Sequence, residues 1–175
     1  MIYFALGNLF AMNAYLLTQL SFATAVIGFI AASVLMFATR EQVFSNRLLG
    51  GAILCIALMM GHLWLIHSGI YIDHPHLFRF AAPFTYLIAP LSYLYVRTLL
   101  YRETHFRTFD WLHLLPFVLH ALELLPFYLL NAEQKQAWIE PLIDNQELLA
   151  QINEGMLPPY WHQYLKTIIG LGYMA

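Results

Sequence analysis

Five ionisable residues stand inside otherwise apolar stretches of this sequence, where a charge is costly to bury and therefore marks a candidate functional group. They are His62, His67, His113, His120 and Glu123. His120 and Glu123 are three residues apart, so a helix places both on one face, and His113 falls near that face. We expect Glu123 and His120 to face the interior of a helical bundle, near His62.

Three chemical roles are open for this group of residues. It is a structural network if Glu123 hydrogen-bonds to His120 or to another helix. It is a ligand-binding or proton-sensing pocket if the histidines, which change charge near neutral pH, respond to a signal. It is a metal site if His-x-x-Glu places two ligands on one side of a helix, although the His-Glu-x-x-His motif of zinc enzymes is absent. We expect no resident metal and no cofactor.

Other catalytic signatures are missing from the 175 residues. There is no Gly-rich phosphate loop, nucleophile elbow or cysteine cluster, and Cys55 is the single cysteine. The net charge is −2, without a basic patch to hold nucleic acid. The sequence therefore predicts a protein that is not an enzyme and whose own residues bind no nucleic acid.

The composition indicates the kind of fold that positions these groups. Hydrophobic residues make up 61% of the chain and charged residues 10%, with a mean hydropathy of +0.62. Soluble domains are about 45–50% apolar and about 25% charged. Because the apolar runs are continuous, the sequence predicts an all-α, polytopic helical membrane bundle that forms a single domain over residues 1–175.

Runs of about 20 apolar residues are long enough to cross a hydrocarbon core of ~30 Å. A fifth, partial span begins near Tyr160 and is too short to cross before Ala175, so we expect the chain to be a piece of a longer protein. Residues 1–19 are either an interfacial helix or an additional, weaker span. The four firm spans are expected at residues 20–38, 48–68, 80–100 and 111–130.

Two kinds of residue inside the spans are expected to shape the packing of the helices. Prolines favour kinks, which would open room for a small ligand near the ionisable residues. The candidate kinks are at Pro90, Pro116 and Pro126. Small residues four positions apart favour close approach of two helix backbones. Such pairs are Gly28 with Ala32 and Ala57 with Gly61.

Lysine and arginine are enriched in cytoplasmic loops, so their distribution predicts the orientation. Five of the eight flank the two loops at residues 39–47 and 102–110, which fall on the same side by parity. These five are Arg40, Arg47, Arg97, Arg102 and Arg107. The other side has Arg79, Lys135 and Lys166. We expect the first two loops in the cytoplasm, with residues 69–79 and 131–159 outside.

The outer loop at residues 131–159 carries signals for two short amphipathic helices on the membrane surface. Its charged residues make a membrane crossing unfavourable. The expected caps are Asn131 with Gln134 and Asp144 with Glu147, with Pro141 between the two helices and Gly155 as a stop.

One motif pattern continues through two apolar stretches. They read HSGIYIDHPHLFRFAAPFTYLIAPLSYLYVRTLL at residues 67–100 and then WLHLLPFVLHALELLPFYLL at 111–130. The pattern resembles the N-terminal membrane region of bacterial AraC-type transcription regulators. There, a span ending in Gly-Pro-Leu-x-Tyr-x-Tyr-x-Arg precedes a basic cytoplasmic loop and a His-x-x-Pro-Phe opening of the next span. Ala89 replaces the usual Gly, and the resemblance covers residues 48–130. The matching residues are Pro90, Leu91, Tyr93, Tyr95, Arg97, His113, Pro116 and Phe117.

The resemblance implies about seven spans and a cytoplasmic helix-turn-helix domain, which is absent from these residues. The chain would then be the sensing domain of a transcription regulator in the bacterial inner membrane. Its partners would be the lipid bilayer, a small-molecule ligand and a second copy of the chain, and it would transmit a ligand or pH state. The alternatives are a fragment of a small transporter, which the lack of an internal repeat disfavours, and a fragment of a metal-dependent membrane enzyme.

Overall fold

The computed structural model describes residues 2–144 and 155–174, and all regular secondary structure in this part of the chain is helical. The prediction of an all-α fold is therefore confirmed. Short 3-10 turns and one π-helical turn join the α-helices. The α-helices are α1 Ile2–Ser33, α2 Val43–Ser68, α3 Ile70–Asp73, α4 Thr85–Tyr101, α5 Leu115–Glu123, α6 Leu125–Tyr128, α7 Ala132–Asp144 and α8 Pro159–Met174.

Three helical segments among the described residues are long and apolar enough to cross a membrane. They are Tyr15–Ala38, Val43–Ser68 and Pro75–Tyr101. Each contains the whole of one of the first three predicted spans and begins five residues earlier than predicted. These candidate spans support a membrane protein.

The predicted fourth span at residues 111–130 is wrong. A 3-10 turn at Asp110–Leu114 leads into α5, which has nine residues, and α6 adds four more. At 1.5 Å per residue α5 is about 14 Å long, less than half of the ~30 Å hydrocarbon core. Pro116 and Pro126 lie in the first turns of α5 and α6. Both prolines therefore begin a helix, where a missing N–H costs little, and do not kink a helix interior as expected.

Pro90 lies inside α4, as its sequence position predicted. The expectation of a separate element at residues 1–19 is wrong, because α1 runs unbroken from Ile2 to Ser33 and continues as a π-helical turn to Ala38. This stretch contains no proline and no charge that would end the helix early. Residues 2–19 are therefore continuous with the helix of the first candidate span.

Small residues hold α1 and α2 close together. A Cβ atom added to Gly28 would lie 2.8 Å from the Cβ of Ala57, and one added to Gly61 would lie 3.8 Å from the Cβ of Ala25. Ala25, Ala32 and Ala57 are buried. The two backbones approach this closely because neither side presents a bulky side chain. The helix α2 also packs against α4, and α4 packs against α5 and α8.

The helix α7 covers one end of the bundle. Its predicted cap is confirmed: the Gln134 N–H donates to Asn131 Oδ1 at 2.8 Å, and the Asn131 N–H donates to Gln134 Oε1 at 3.2 Å. Pro141 lies inside α7, a correction to its expected place between two helices. It removes one bond to the Ala137 carbonyl near the helix end without ending the helix. The predicted second helix falls on residues 145–154, outside the described residues.

A small core lies beneath α7. It consists of Tyr71, Phe78, Phe127 and Ile139, which are all buried. The Lys135 ammonium is buried beside this core, where it donates to His76 Nδ1 at 2.9 Å and to the Tyr128 carbonyl at 3.0 Å. Burial lowers the pKa of Lys135, because desolvation disfavours the charged amine.

The two basic loops meet at the opposite end of the bundle. The rings of Phe44 and Phe106 lie edge to face with centroids 5.0 Å apart. The Thr98 hydroxyl donates to Ser45 Oγ at 3.0 Å. The predicted placement of both loops on one side is therefore confirmed, whereas their cytoplasmic location remains a prediction.

Candidate functional site

Three ionisable side chains meet where α5 faces the start of α8. They are His120, Glu123 and His162, hereafter the polar trio. His120 Nδ1 lies 3.3 Å from Glu123 Oε2, and His162 Nε2 lies 3.5 Å from Glu123 Oε1. One ligand atom from each residue lies within 4.8 Å of the other two. His120 and Glu123 are each 8% exposed and His162 is half-buried, so two of the three members are buried.

Local structure accounts for this meeting. The three-residue spacing places His120 and Glu123 on one face of α5, as predicted. The chain entering α8 is tied to the same carboxylate, because the Leu157 N–H donates to Glu123 Oε1 at 3.2 Å. A Cβ atom on Gly155 would collide with the Glu123 carboxylate. Glycine therefore permits the close approach that brings His162 to its place.

The hydrogen bonds of the polar trio are incomplete among the described residues. Glu123 Oε2 and His162 Nδ1 are buried there without a hydrogen-bond partner. A buried polar atom without a partner costs about 1–3 kcal/mol. The arrangement therefore favours an additional group that satisfies these atoms, either a polar part of a ligand or a cation.

The polar trio lines one part of a cavity of about 610 Å³. This volume lies in the range of about 300–1,000 Å³ that is typical of small-molecule sites. The remaining wall is almost wholly apolar, and Glu123 is the single carboxylate among the described residues that line it. Its other lining residues include Tyr86, Leu119, Leu122, Met156, Leu165 and Ile169.

The residue expected beside this group, His62, is not part of the polar trio. It is buried between Phe78 and Phe80, with ring centroids 6.3 and 5.7 Å from its own. The expectation assumed that the second and fourth spans touch, whereas α5 packs against α4. His62 Nδ1 has no hydrogen-bond partner among the described residues.

The other two predicted site residues make separate contacts. His67 is at the end of α2, where its Nδ1 bonds to the Leu63 carbonyl of the same helix at 2.8 Å. His113 Nδ1 lies 2.6 Å from the Tyr173 hydroxyl, and its ring packs against Tyr93 and Tyr173. His113 therefore joins the start of α5 to α4 and α8, away from the polar trio.

His162 was not among the site residues predicted from the sequence. It is an ionisable residue on an apolar helix, the same signal that selected the other five. The segment from Tyr160 was predicted as a partial span, and its histidine was not selected as a candidate site residue. Its partner lies on a helix far away in sequence, and no local spacing reveals such a pair.

A second buried charged group was also missed. Arg97 Nη1 and Nη2 donate to the two oxygens of Asp110 at 2.7 and 2.5 Å, and Arg97 Nε donates to Glu103 Oε2 at 3.0 Å. We call Arg97, Glu103 and Asp110 the arginine clasp. The Arg97 guanidinium lowers the pKa of Asp110 to about 2, and the Arg107 N–H adds a further bond to the same carboxylate. The clasp fixes the loop between α4 and α5.

The chain matches no protein-family model, no curated protein and no solved structure. The resemblance to AraC-type regulators therefore rests on the motif residues alone, at 89–97 and 113–117. An all-helical bundle with three candidate spans is shared by proteins of many functions.

Proposed function

We propose that this chain is a membrane-embedded sensing domain that binds a small molecule in the cavity beside the polar trio. The observation that carries the proposal is a cavity of about 610 Å³ that is apolar except where His120, Glu123, His162 and a tyrosine line it. Ligand sites typically combine apolar walls with a few polar groups that orient the ligand. The fitting ligand class has an apolar body and one polar head.

The helix α4 connects the cavity to the far end of the bundle. Tyr86 of α4 lines the cavity, and its ring centroid lies 4.7 Å from that of His120. The same helix contains Pro90 and reaches Arg97 of the clasp. A ligand that prefers one packing of α5 and α8 against α4 would shift the population of the two packings and change the clasp.

The resemblance to AraC-type regulators suggests what the domain does once it has bound its ligand, namely regulate transcription. The domain resides in the bacterial inner membrane with residues 39–47 and 102–110 in the cytoplasm. It transmits the ligand state to a helix-turn-helix domain of the AraC type, and a second copy of the chain is a candidate partner. The reading frame after Ala175 tests this output, because a stop codon or an unrelated domain there would contradict it.

The cavity itself is tested by filling it in the full-length protein. Leu119→Trp adds bulk at the cavity wall, whereas Leu100→Trp adds the same bulk at a side chain that is 72% exposed and does not line this cavity. Each substitution is introduced into the chromosome of the host bacterium, and the transcript levels of the variant strain are compared with those of the parent strain by RNA sequencing. Immunoblots of isolated membranes measure how much of each variant is inserted. We expect Leu119→Trp alone to change the transcription of a defined gene set. Equal transcriptomes of two inserted variants would contradict the proposal.

A second candidate function is that of a metal-dependent membrane enzyme. It is favoured by the imidazole and carboxylate groups of the polar trio, which could bind a metal ion. Hydrolysis at a metal also uses a general base. If Glu123 binds the metal, the described cavity wall has no second carboxylate for that role. The sensing function therefore has the stronger support.

A further inference from the structure

We propose that the polar trio is a binding site for a divalent transition-metal ion such as Zn²⁺. Two imidazoles and one carboxylate form a donor set that zinc uses in sites with one open position. This proposal revises the expectation of no metal. It goes beyond the sensing function and does not depend on it, since it requires only His120, Glu123 and His162.

The spacing of the donor atoms fits a metal better than it fits hydrogen bonds. Two ligands at 2.0–2.1 Å from a tetrahedral zinc ion are about 3.3–3.4 Å apart. The observed separations are 3.3 Å from His120 Nδ1 to Glu123 Oε2 and 3.5 Å from His162 Nε2 to Glu123 Oε1. Each histidine thus faces its own oxygen of the carboxylate, and one donor atom from each of the three residues lies within 4.8 Å of the other two. A charge-assisted hydrogen bond to a carboxylate would be about 2.7–2.9 Å long. Glu123 Oε2 accordingly has no hydrogen-bond partner among the described residues.

Burial adds a second reason. The side chains of Glu123 and His162 are 9% and 19% exposed. An ionised carboxylate in such a place is costly unless a cation or several hydrogen bonds compensate it. A metal ion supplies this compensation. The bond from the Leu157 N–H to Glu123 Oε1 then orients the ligand, as outer-shell bonds do in known metal sites.

The fourth coordination position of the metal ion would face the cavity. All three donors belong to residues that line the cavity, so the position that the protein leaves open is accessible from it. If the sensing function also holds, the polar head of the ligand is an electron-pair donor such as a carboxylate or a thiol. This last step alone rests on the proposed function.

Metal binding is tested on the full chain purified in detergent and stripped with EDTA. Co²⁺ serves as the spectroscopic probe, and elemental analysis measures Zn²⁺ after dialysis. We expect about one ion per chain and intense visible d–d absorption of low-coordinate Co²⁺. His162→Ala should weaken Co²⁺ binding by more than about tenfold. The matched control His67→Ala removes a half-buried histidine whose described hydrogen bond is to its own helix, and this variant should bind Co²⁺ as the parent does.

A ligand swap separates loss of a ligand from loss of the fold. His162→Cys retains a donor and should add a thiolate-to-cobalt charge-transfer band, which the parent chain with its buried Cys55 lacks. Absence of Co²⁺ binding by the parent protein would overturn the proposal. Parent-like affinity of His162→Ala, or no charge-transfer band in a folded His162→Cys, would also overturn it. None of these results bears on Leu119→Trp, whose effect on transcription tests the sensing function separately.

Discussion

Replacing Asp110 by Asn measures how much the arginine clasp stabilises the fold. Asp110 is 4% exposed and accepts hydrogen bonds from both terminal nitrogens of Arg97. These bonds lower its pKa from an ordinary 3.8 to about 2. Since one pKa unit corresponds to about 1.4 kcal/mol, the ionised carboxylate contributes about 2 kcal/mol to the free energy of unfolding.

The sign of the pH dependence follows from the lowered pKa. The contribution is fully present above about pH 4, where Asp110 is ionised in both states, and is lost as the pH falls toward about 2. At neutral pH, Asp110→Asn should lower the free energy of unfolding by at least about 2 kcal/mol, because it also leaves Arg97 with Glu103 alone. The difference between parent and variant should shrink between about pH 4 and pH 2.

The assay is reversible unfolding of the purified chain in detergent, followed by circular dichroism at a series of pH values. Asp73→Asn is the matched control, because it removes the same charge at an exposed side chain. The free energy of unfolding of this control should lie within about 0.5 kcal/mol of that of the parent. The reasoning is refuted if the two variants are equally stable at neutral pH, or if the deficit of Asp110→Asn persists unchanged to about pH 2.

Three further outcomes are expected. Gly155→Ala should destabilise the fold by about 1–3 kcal/mol, because the new Cβ collides with the Glu123 carboxylate. The control Gly172→Ala adds its Cβ in open space and should unfold as the parent does. Equal unfolding temperatures of the two variants would contradict the close approach of Gly155 to Glu123. Gly28→Val should separate α1 from α2 and lower the unfolding temperature, while Gly172→Val should not. Cysteines at Asn46 and Thr104, in a chain without its native cysteine, should resist a membrane-impermeant maleimide in intact cells; their labelling would reverse the orientation.

The first three spans were predictable because an uninterrupted apolar run of about 20 residues forms a helix as long as the hydrocarbon core is thick. The fourth was not, since apolar content is the same for one long helix and for several short ones. Pro116 and Pro126 marked the difference, but a proline inside a span is compatible with both a kink and a helix start. Continuity of α1 was equally hidden, because polar residues such as Asn8 and Asn13 resemble a boundary without ending a helix.

Within the candidate site, the local part was predictable and the distant part was not. The pairing of His120 with Glu123 follows from helix periodicity alone. The third member depends on which helices are neighbours, so His62 was expected and His162 was found. The bidentate pairing of Arg97 with Asp110 likewise joins two elements through a loop, and hydropathy carries no information about such a partner.

The unbroken course of α1 has a consequence for how the bundle sits in lipid. Its 32 residues are about 48 Å long, against a hydrocarbon core of ~30 Å. To absorb this hydrophobic mismatch by tilting alone, α1 would have to lean by about 50°, beyond the 0–40° seen for spanning helices. At a tilt of 40°, about 39 Å of a straight helix lies within the hydrocarbon, so about 9 Å of α1, or roughly six residues, would extend into the headgroup layer. Gly28 lies beside Ala57 and Gly50 beside Met36, so α1 and α2 are antiparallel and the N-terminal end of α1 points toward the end of the bundle where α7 packs. If the excess length lies at that end, α1 and α7 meet the same membrane–water interface.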